Sequence, residues 1–546
     1  MKANLIEKTP SAHPHQMLIK SLIQTPLTRN TKNEIVYKGE KRFTYDEMYK
    51  RVCKLANALT EMGIKHGDTV AVMDYDSNRY LELYFAVPMI GAVLHTVNIR
   101  LSPEQIVYTI EHAEDDAVFI HSDFLPLFDK IKGKITCVNK YIALSEDGIA
   151  ADTSLTLEGE YEEILSKQPD SFDFPDFDEN TRATTFYTTG TTGLPKGVYF
   201  SHKQLVLHTI AVAGYFSSVP HCGFDQTDVY MPMTPMFHVH AWGFPYVATY
   251  TGVKQVYPGK YIPEVMLGLV IKEKVTFSHC VPTIIHMLLK APIIDQLDLS
   301  KWKVVIGGAA MPKSMCVGAM KHGIDIIAGY GMSETCPVLT LAHVSEDMLK
   351  ESHEAQADLR VLTGKPMGMV ELRIVNDKME DVPADGESTG EIVVRAPWLT
   401  QGYFKDNKNS EELWRGGYLH TGDVAVMLPN GDVKITDRAK DVIKIGGEWV
   451  SSLELEDIFS RHNSVAEVAV VSSKDDKWGE RPLALIVLKE GEEVTEKELH
   501  SHAISYIKKG IMARESLLVK VKFVDEIDKT SVGKIDKKLL RQKYAL

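Results

Sequence analysis

The segment Tyr187-Thr188-Thr189-Gly190-Thr191-Thr192-Gly193-Leu194-Pro195-Lys196-Gly197-Val198 gathers hydroxyls, glycines and a lysine into one short run. Glycines let backbone N–H groups turn towards an anion, the threonines add donors, and Lys196 supplies a point charge, so the run suits a polyphosphate. It departs from the Walker A pattern, because Pro195 precedes the lysine and Gly197 follows it. The preceding Thr184-Thr185-Phe186 reads as a strand, so the run is a loop at a strand end. The next helix is expected to start only at Ser201, with Gln204 closing a capping box. A flexible surface loop is the plain alternative, but nearly every position here has a use in phosphate binding.

Four further segments carry chemistry. In Gly329-Tyr330-Gly331-Met332-Ser333-Glu334-Thr335 the glycines permit close approach of a planar base, Tyr330 can stack on it, and Glu334 offers the hard oxygen that Mg2+ prefers. Tyr418-Leu419-His420-Thr421-Gly422-Asp423 holds a carboxylate after a glycine turn, where it can accept both hydroxyls of a ribose; Thr421-Gly422-Asp423 alone is only a turn. Asp437-Arg438-Ala439-Lys440-Asp441 runs through Lys444 to Gly446-Gly447-Glu448-Trp449. A solvated linker accounts for its charges but not for two glycines followed by a tryptophan. Thr530-Ser531-Val532-Gly533-Lys534-Ile535-Asp536 sets a lysine on a glycine-containing loop, from which a small mobile domain can swing it into a site. Taken alone, Lys534 is one surface lysine among many.

In this order the five segments resemble those of the acyl-adenylate-forming superfamily, which includes acyl-CoA synthetases, firefly luciferase and the adenylation domains of peptide synthetases. The resemblance covers almost the whole chain. It implies a site in which Thr188, Thr189, Gly190, Thr191, Thr192, Gly193 and Lys196 hold phosphates, and Glu334 with Thr188 holds Mg2+. Tyr330 flanks adenine, with Gly308, Ala309, Gly329, Gly331 and Ser333 completing the nucleotide pocket. Asp423 takes the ribose, Arg438 the ribose and phosphate, and Lys444 and Trp449 belong to the nucleotide-contacting set. Lys440 is the hinge, and Lys534 binds the carboxylate and α-phosphate. The segment Met231-Pro232-Met233-Thr234-Pro235-Met236-Phe237-His238-Val239-His240-Ala241-Trp242 resembles the acyl-pocket lining of medium- and long-chain fatty-acid ligases. There the residue matching His238 meets the carboxylate, and the one matching Trp242 gates the tunnel beside Gly307. His240 departs from the asparagine of long-chain relatives. The individual methionines read simply as core.

The implied activity is ATP-dependent acid:CoA ligation, with Lys534, His238, Glu334 and Lys196 as the catalytic set and ATP, Mg2+ and coenzyme A as cofactors. Transfer to a carrier protein, oxidation of the adenylate, a short-chain or aromatic acid, and a catalytically silent sensor on the same fold are the competing readings. With no carrier domain in the chain, free coenzyme A is the expected acceptor. The resemblance leaves a homodimer and peripheral membrane contact open.

The elements that must position these residues alternate. Helical patterns at Tyr45 to Met62 and around Tyr80 to Ile90 flank a strand at Thr69 to Met73, and Ala117 to Ile120, Val275 to Ser278 and Lys303 to Ile306 repeat the strand pattern. The fold class is therefore α/β: a large N-terminal domain of two α/β subdomains with a small β-barrel subdomain, then a small mobile α+β domain. After Thr363 short strands follow at Glu371 to Val375, Glu391 to Val394 and Val433 to Thr436, the last behind the hairpin cue Asn430-Gly431. The expected division is residues 1–436 with a β-rich subdomain at 364–436, a hinge at 437–440, and a C-terminal domain at 441–546.

Composition bounds the rest. A chain of 546 residues exceeds the reach of one hydrophobic core, and 44% hydrophobic with 25% charged residues is ordinary for a globular protein. A net charge of −13 argues against nucleic acid as a partner. Cys53, Cys137, Cys222, Cys280, Cys316 and Cys336 show no zinc spacing and suit reduced thiols in the cytoplasm. No export signal is seen at the start, and Leu81 to Val97, interrupted by Glu82, Pro88 and His95, reads as a buried helix and turn rather than a membrane span.

Overall fold

Thr44 accepts a hydrogen bond from the Glu47 backbone while Glu47 reaches back to Thr44, and this capping box opens the helix Tyr45–Glu61. Its buried Tyr45, Met48, Val52, Leu55, Ala56 and Leu59 recur at helical spacing and face the core. The computed structural model describes residues 4–29, 31–148, 152–188, 194–219, 221–438, 440–445, 448–475, 479–507, 514–530 and 533–545. Thr189, Gly190, Thr191, Thr192 and Gly193, Ala439, the Gly446-Gly447 pair and Ser531-Val532 lie outside the described residues, as do the side chains of Lys444 and Trp449.

Two α/β sheets form the large domain. The first has seven strands in the order Leu157–Glu160, Lys140–Leu144, Ala117–His121, Thr69–Met73, Val93–Thr96, Arg182–Thr188 and Lys196–Ser201. All neighbours are parallel except the last pair. Thr69–Met73 and Ala117–His121 are buried along their whole length, as strands covered by helices on both faces must be. The second sheet has nine strands, with Asp325–Gly331, Lys303–Ile306, Phe277–Cys280, Val229–Tyr230, Lys254–Tyr257 and Glu34–Tyr37 running parallel through its middle. Antiparallel strands close both of its edges.

A four-stranded antiparallel sheet follows, in the order Glu371–Val375, Gly390–Arg395, Leu419–Met427 and Val433–Arg438. Downstream, Val465–Asp475 and Gly479–Leu488 form a long antiparallel pair, joined by Lys520–Phe523 and by the hairpin of Ile443–Ile445 with Glu448–Val450. This sheet packs under the helices Ser452–Ser460 and Glu496–Ile507 with a core of its own, centred on Leu455, Phe459, Val470 and Ile486.

Most elements lie where the periodicity puts them, with three differences. The strand expected at Val275 to Ser278 runs from Phe277 to Cys280, because Thr276 ends the preceding turn by pairing with Val229. A strand that the sequence reading did not separate follows the phosphate run: Lys196–Ser201 pairs antiparallel with Arg182–Thr188 before Ser201 caps the helix His202–Ser218 with the expected Gln204 box. Asp423, read as following a turn, lies inside the strand Leu419–Met427, where Gly422 takes a positive φ of 70° beside a register shift. All six cysteines are free. Among the described residues, no helix is long and apolar enough to cross a membrane.

Candidate active site

Residues singled out by type meet at the carboxyl ends of strands from both large sheets, where open α/β folds take their ligands. Thr188 closes the strand Arg182–Thr188, Gly307 follows Lys303–Ile306, and Tyr330 lies near the end of Asp325–Gly331. Gly331 has to be glycine, since a Cβ there would lie 1.8 Å from the carbonyl oxygen of Pro337.

Asp423 forms one polar centre. It is 5% exposed, its Oδ2 accepts the Tyr330 hydroxyl at 2.7 Å, and its Oδ1 lies 3.2 Å from Nε of Arg438. Asp423 and Arg438 are direct partners across the antiparallel ladder, so the sheet register itself sets their ion pair. The Arg438 side chain stays 48% exposed, leaving guanidinium surface for another group. Burial and the Asp423 charge push the Tyr330 hydroxyl well above its ordinary pKa, so it remains a donor.

Glu334, on the short turn Ser333–Thr335, is 7% exposed and accepts the Tyr403 hydroxyl on Oε1 at 2.7 Å. Lys196 lies 4.5 Å from the centre of the same tyrosine ring, and the Thr188 hydroxyl points back to the Lys196 carbonyl at 3.5 Å. Tyr403 went unread in the sequence, where Gln401-Gly402-Tyr403 carries no local signal of chemistry.

The C-terminal domain reaches into this cleft through Lys534. Gly308 adopts φ +78°, and a Cβ on it would meet Lys534 Cε at 3.1 Å and Nζ at 3.6 Å, so the lysine lies directly on the glycine. The residue as a whole is half-buried, but its ammonium is enclosed between the domains. That burial, reinforced by the charge of Arg438, lowers its pKa to about 8, while Asp423 and Glu334 oppose the shift. The docking is held elsewhere by Asp437, whose Oδ2 accepts the Ser452 N–H at 2.7 Å, and by Asp457, which accepts the Lys313 N–H at 3.4 Å. Lys440 and Ala309 are exposed, and Lys444 stands opposite Trp449 in the hairpin register.

The acyl-pocket candidates sit on an unusual backbone. Val239, His240, Ala241, Trp242 and Gly243 have φ values of +49°, +54°, +46°, +58° and +74°, a left-handed turn composed mostly of residues that disfavour it. His240 fills a fully buried box of Tyr84, Phe186, Phe200 and Tyr246, with neither ring nitrogen hydrogen-bonded and its pKa lowered to about 3 by burial. The indole of Trp242 stacks on His279 at 5.0 Å, and a Cβ on Gly307 would lie 2.9 Å from its ring. The segment before the turn is pinned by Asp76, which accepts the Met236 N–H at 2.8 Å, and by Thr96, which donates to the Phe237 carbonyl at 3.0 Å. Burial, then the nearby Lys534 and Arg100, lower the His238 pKa to about 3, so its imidazole is neutral.

The family model described as AMP-binding enzyme matches residues 24–404, and that of the AMP-binding enzyme C-terminal domain matches residues 454–534. The chain belongs to the AMP-binding enzyme family. It is 39% identical to the long-chain-fatty-acid-CoA ligase of Thermus thermophilus, over 92% of this chain and 90% of that protein. It is 35% identical to the medium-chain-fatty-acid-CoA ligase of Ectopseudomonas oleovorans, over 97% of this chain and 96% of that one. The anthranilate CoA ligase AuaEII, solved with anthranoyl-AMP, has the same fold: TM-score 0.84 at 22% identity, covering 96% of this chain and 97% of that one.

Proposed function

We propose that the chain is an AMP-forming acyl-CoA synthetase. A carboxylic acid, foremost a fatty acid, attacks the α-phosphate of ATP to give an acyl-adenylate and pyrophosphate; the thiol of coenzyme A then takes the acyl group and releases AMP. The observation that carries this reading is the convergence of Lys534, from the C-terminal domain, with Glu334, Asp423 and Arg438 around one cleft.

The first step must bring two anions together. In this reading Lys196 and the phosphate run neutralise the departing pyrophosphate. Lys534 holds the acid's carboxylate against the α-phosphate, and neutral His238 donates an N–H to the carboxylate. Asp423, already oriented by Tyr330 and Arg438, accepts the ribose hydroxyls while the Tyr330 ring lies beside adenine. Glu334 and Thr188 would hold Mg2+, an oxygen-only donor set that fits a hard cation, and the ion would supply further charge neutralisation on the phosphates. The second step needs Lys534 withdrawn, so the domain beyond residues 437–440 turns about Lys440 between half-reactions. The six unpaired thiols favour a reducing compartment such as the cytoplasm.

The relatives named for long- and medium-chain acids support a fatty acid. One observation favours a shorter acid: Trp242 packs onto Gly307 where a chain would pass. Acid-dependent pyrophosphate exchange, from acetate to palmitate with benzoate included, decides both points. Exchange that rises with chain length supports the first reading, a maximum at short acids the second, and no exchange with any acid in the presence of Mg·ATP overturns both.

A further inference from the structure

We infer that Tyr403 is a positioning residue for adenylation: its hydroxyl fixes the Glu334 carboxylate and its ring face parks the Lys196 ammonium, tying together two charged groups that must serve one polyphosphate. The inference rests on the acyl-CoA synthetase reading.

Tyr403 lies between the strand Gly390–Arg395 and the helix Asn407–Leu413. Its loop is stitched to both partners through the backbone. On one side Tyr403 bridges to Val198, Phe404 N–H donates to the Gly197 carbonyl at 2.8 Å, and the Thr400 hydroxyl donates to the Tyr199 carbonyl at 2.9 Å. On the other, Thr400 N–H donates to the Glu334 carbonyl at 3.0 Å. The Ser410 hydroxyl oxygen, 2.8 Å from Tyr403 N, accepts its backbone N–H. A side chain so anchored loses little freedom in holding others.

The hydroxyl donates to Glu334 Oε1 at 2.7 Å, which commits that oxygen and leaves Oε2 for a further ligand. Among the described residues no carboxylate lies within ion-pair distance of Lys196, and its ammonium rests on the ring face instead. An aromatic face holds a cation less firmly than a phosphate does, so Lys196 is stored in place and free to transfer to ATP.

The test uses the full-length protein. Tyr403→Phe keeps the ring and removes the hydroxyl; Tyr403→Leu removes both. The Phe variant is expected to lose pyrophosphate-exchange rate by about tenfold, the loss typical of a hydrogen bond to a charged group. It should require several-fold more Mg2+ for half-maximal exchange. In calorimetric titration with a non-hydrolysable ATP analogue it should bind Mn2+ several-fold more weakly. Thioester formation from preloaded acyl-adenylate should be unchanged. The Leu variant should lose about threefold more exchange. In a Glu334→Ala background the Phe substitution should cost nothing further, because its partner is gone. The inference is overturned if the Phe variant matches the native protein in exchange and Mn2+ affinity, if both half-reactions fall together with a lowered melting temperature, or if the cost persists in the Ala background. Native protein that exchanges with no acid would instead remove the functional reading, and the Mn2+ comparison would still decide the role of Tyr403.

Discussion

Raising the pH through 8 should switch off adenylation by discharging Lys534. Burial between the domains lowers its pKa from 10.5 to about 8. That gap corresponds to ~3 kcal/mol opposing the ammonium in the substrate-free, docked site. The folded-state value lies below the unfolded one, so the protonated lysine opposes docking. This opposition is complete below about pH 8 and disappears as the pH rises towards 10.5. Domain docking and stability therefore gain with pH across that window, while catalysis, which in the proposed mechanism uses the charge, declines. At subsaturating ATP the exchange rate, which reports the free enzyme, should fall about tenfold per pH unit above about 8. At saturating Mg·ATP the limb should move upward, because bound phosphate restores the ammonium. Lys534→Ala should lose about 10²- to 10³-fold in exchange near neutrality and show no such limb. A native profile that stays flat to the ordinary lysine range, or an alanine variant that keeps the same limb, would refute the reasoning.

Three other outcomes are expected. Trp242→Ala removes an indole that is 7% exposed, so the melting midpoint should drop by the equivalent of ~3–5 kcal/mol while exchange shifts towards longer acids; an unchanged acid profile would remove Trp242 from the pocket. Because His238 is neutral, with its pKa lowered to about 3, the pH profile should contain no limb near the ordinary histidine value that disappears in His238→Gln. Finding such a limb would contradict the neutral assignment. Asp437→Ala deletes the acceptor for Ser452 N–H, worth ~1–3 kcal/mol, and should slow exchange while leaving thioester formation intact; equal loss of both would mean that Asp437 does not favour the docked arrangement.

Much of the candidate site could be picked out by residue type, because the phosphate, Mg2+ and ribose it is proposed to hold each demand chemistry that few side chains offer. Glu334, Asp423, Lys196 and Lys534 are the candidates for that chemistry, each in a short segment, and the α/β alternation follows from local periodicity. What escaped depends on pairing between distant segments. Tyr403 acquires its partners only when its loop bridges to Val198, some two hundred residues earlier in the chain. Asp423 and Arg438 read as two motifs, yet the ladder makes them neighbours. The strand Lys196–Ser201 escaped because Lys196-Gly197-Val198 satisfies a loop reading equally well. The left-handed course of Val239 to Trp242 contradicts every local preference of those residues and is imposed by packing.

That turn also bears on how acid preference can change between relatives. Its coil runs against the chirality of its own residues, at roughly 1–2 kcal/mol for each one that is not glycine. Replacing Ala241 by glycine should relax it, whereas isoleucine there should fight it, so the two substitutions are far from equivalent despite the small space involved. Within the proposed acyl pocket, a change of ring at Trp242 or in the box around His240 would therefore alter its shape without asking the main chain to change hand.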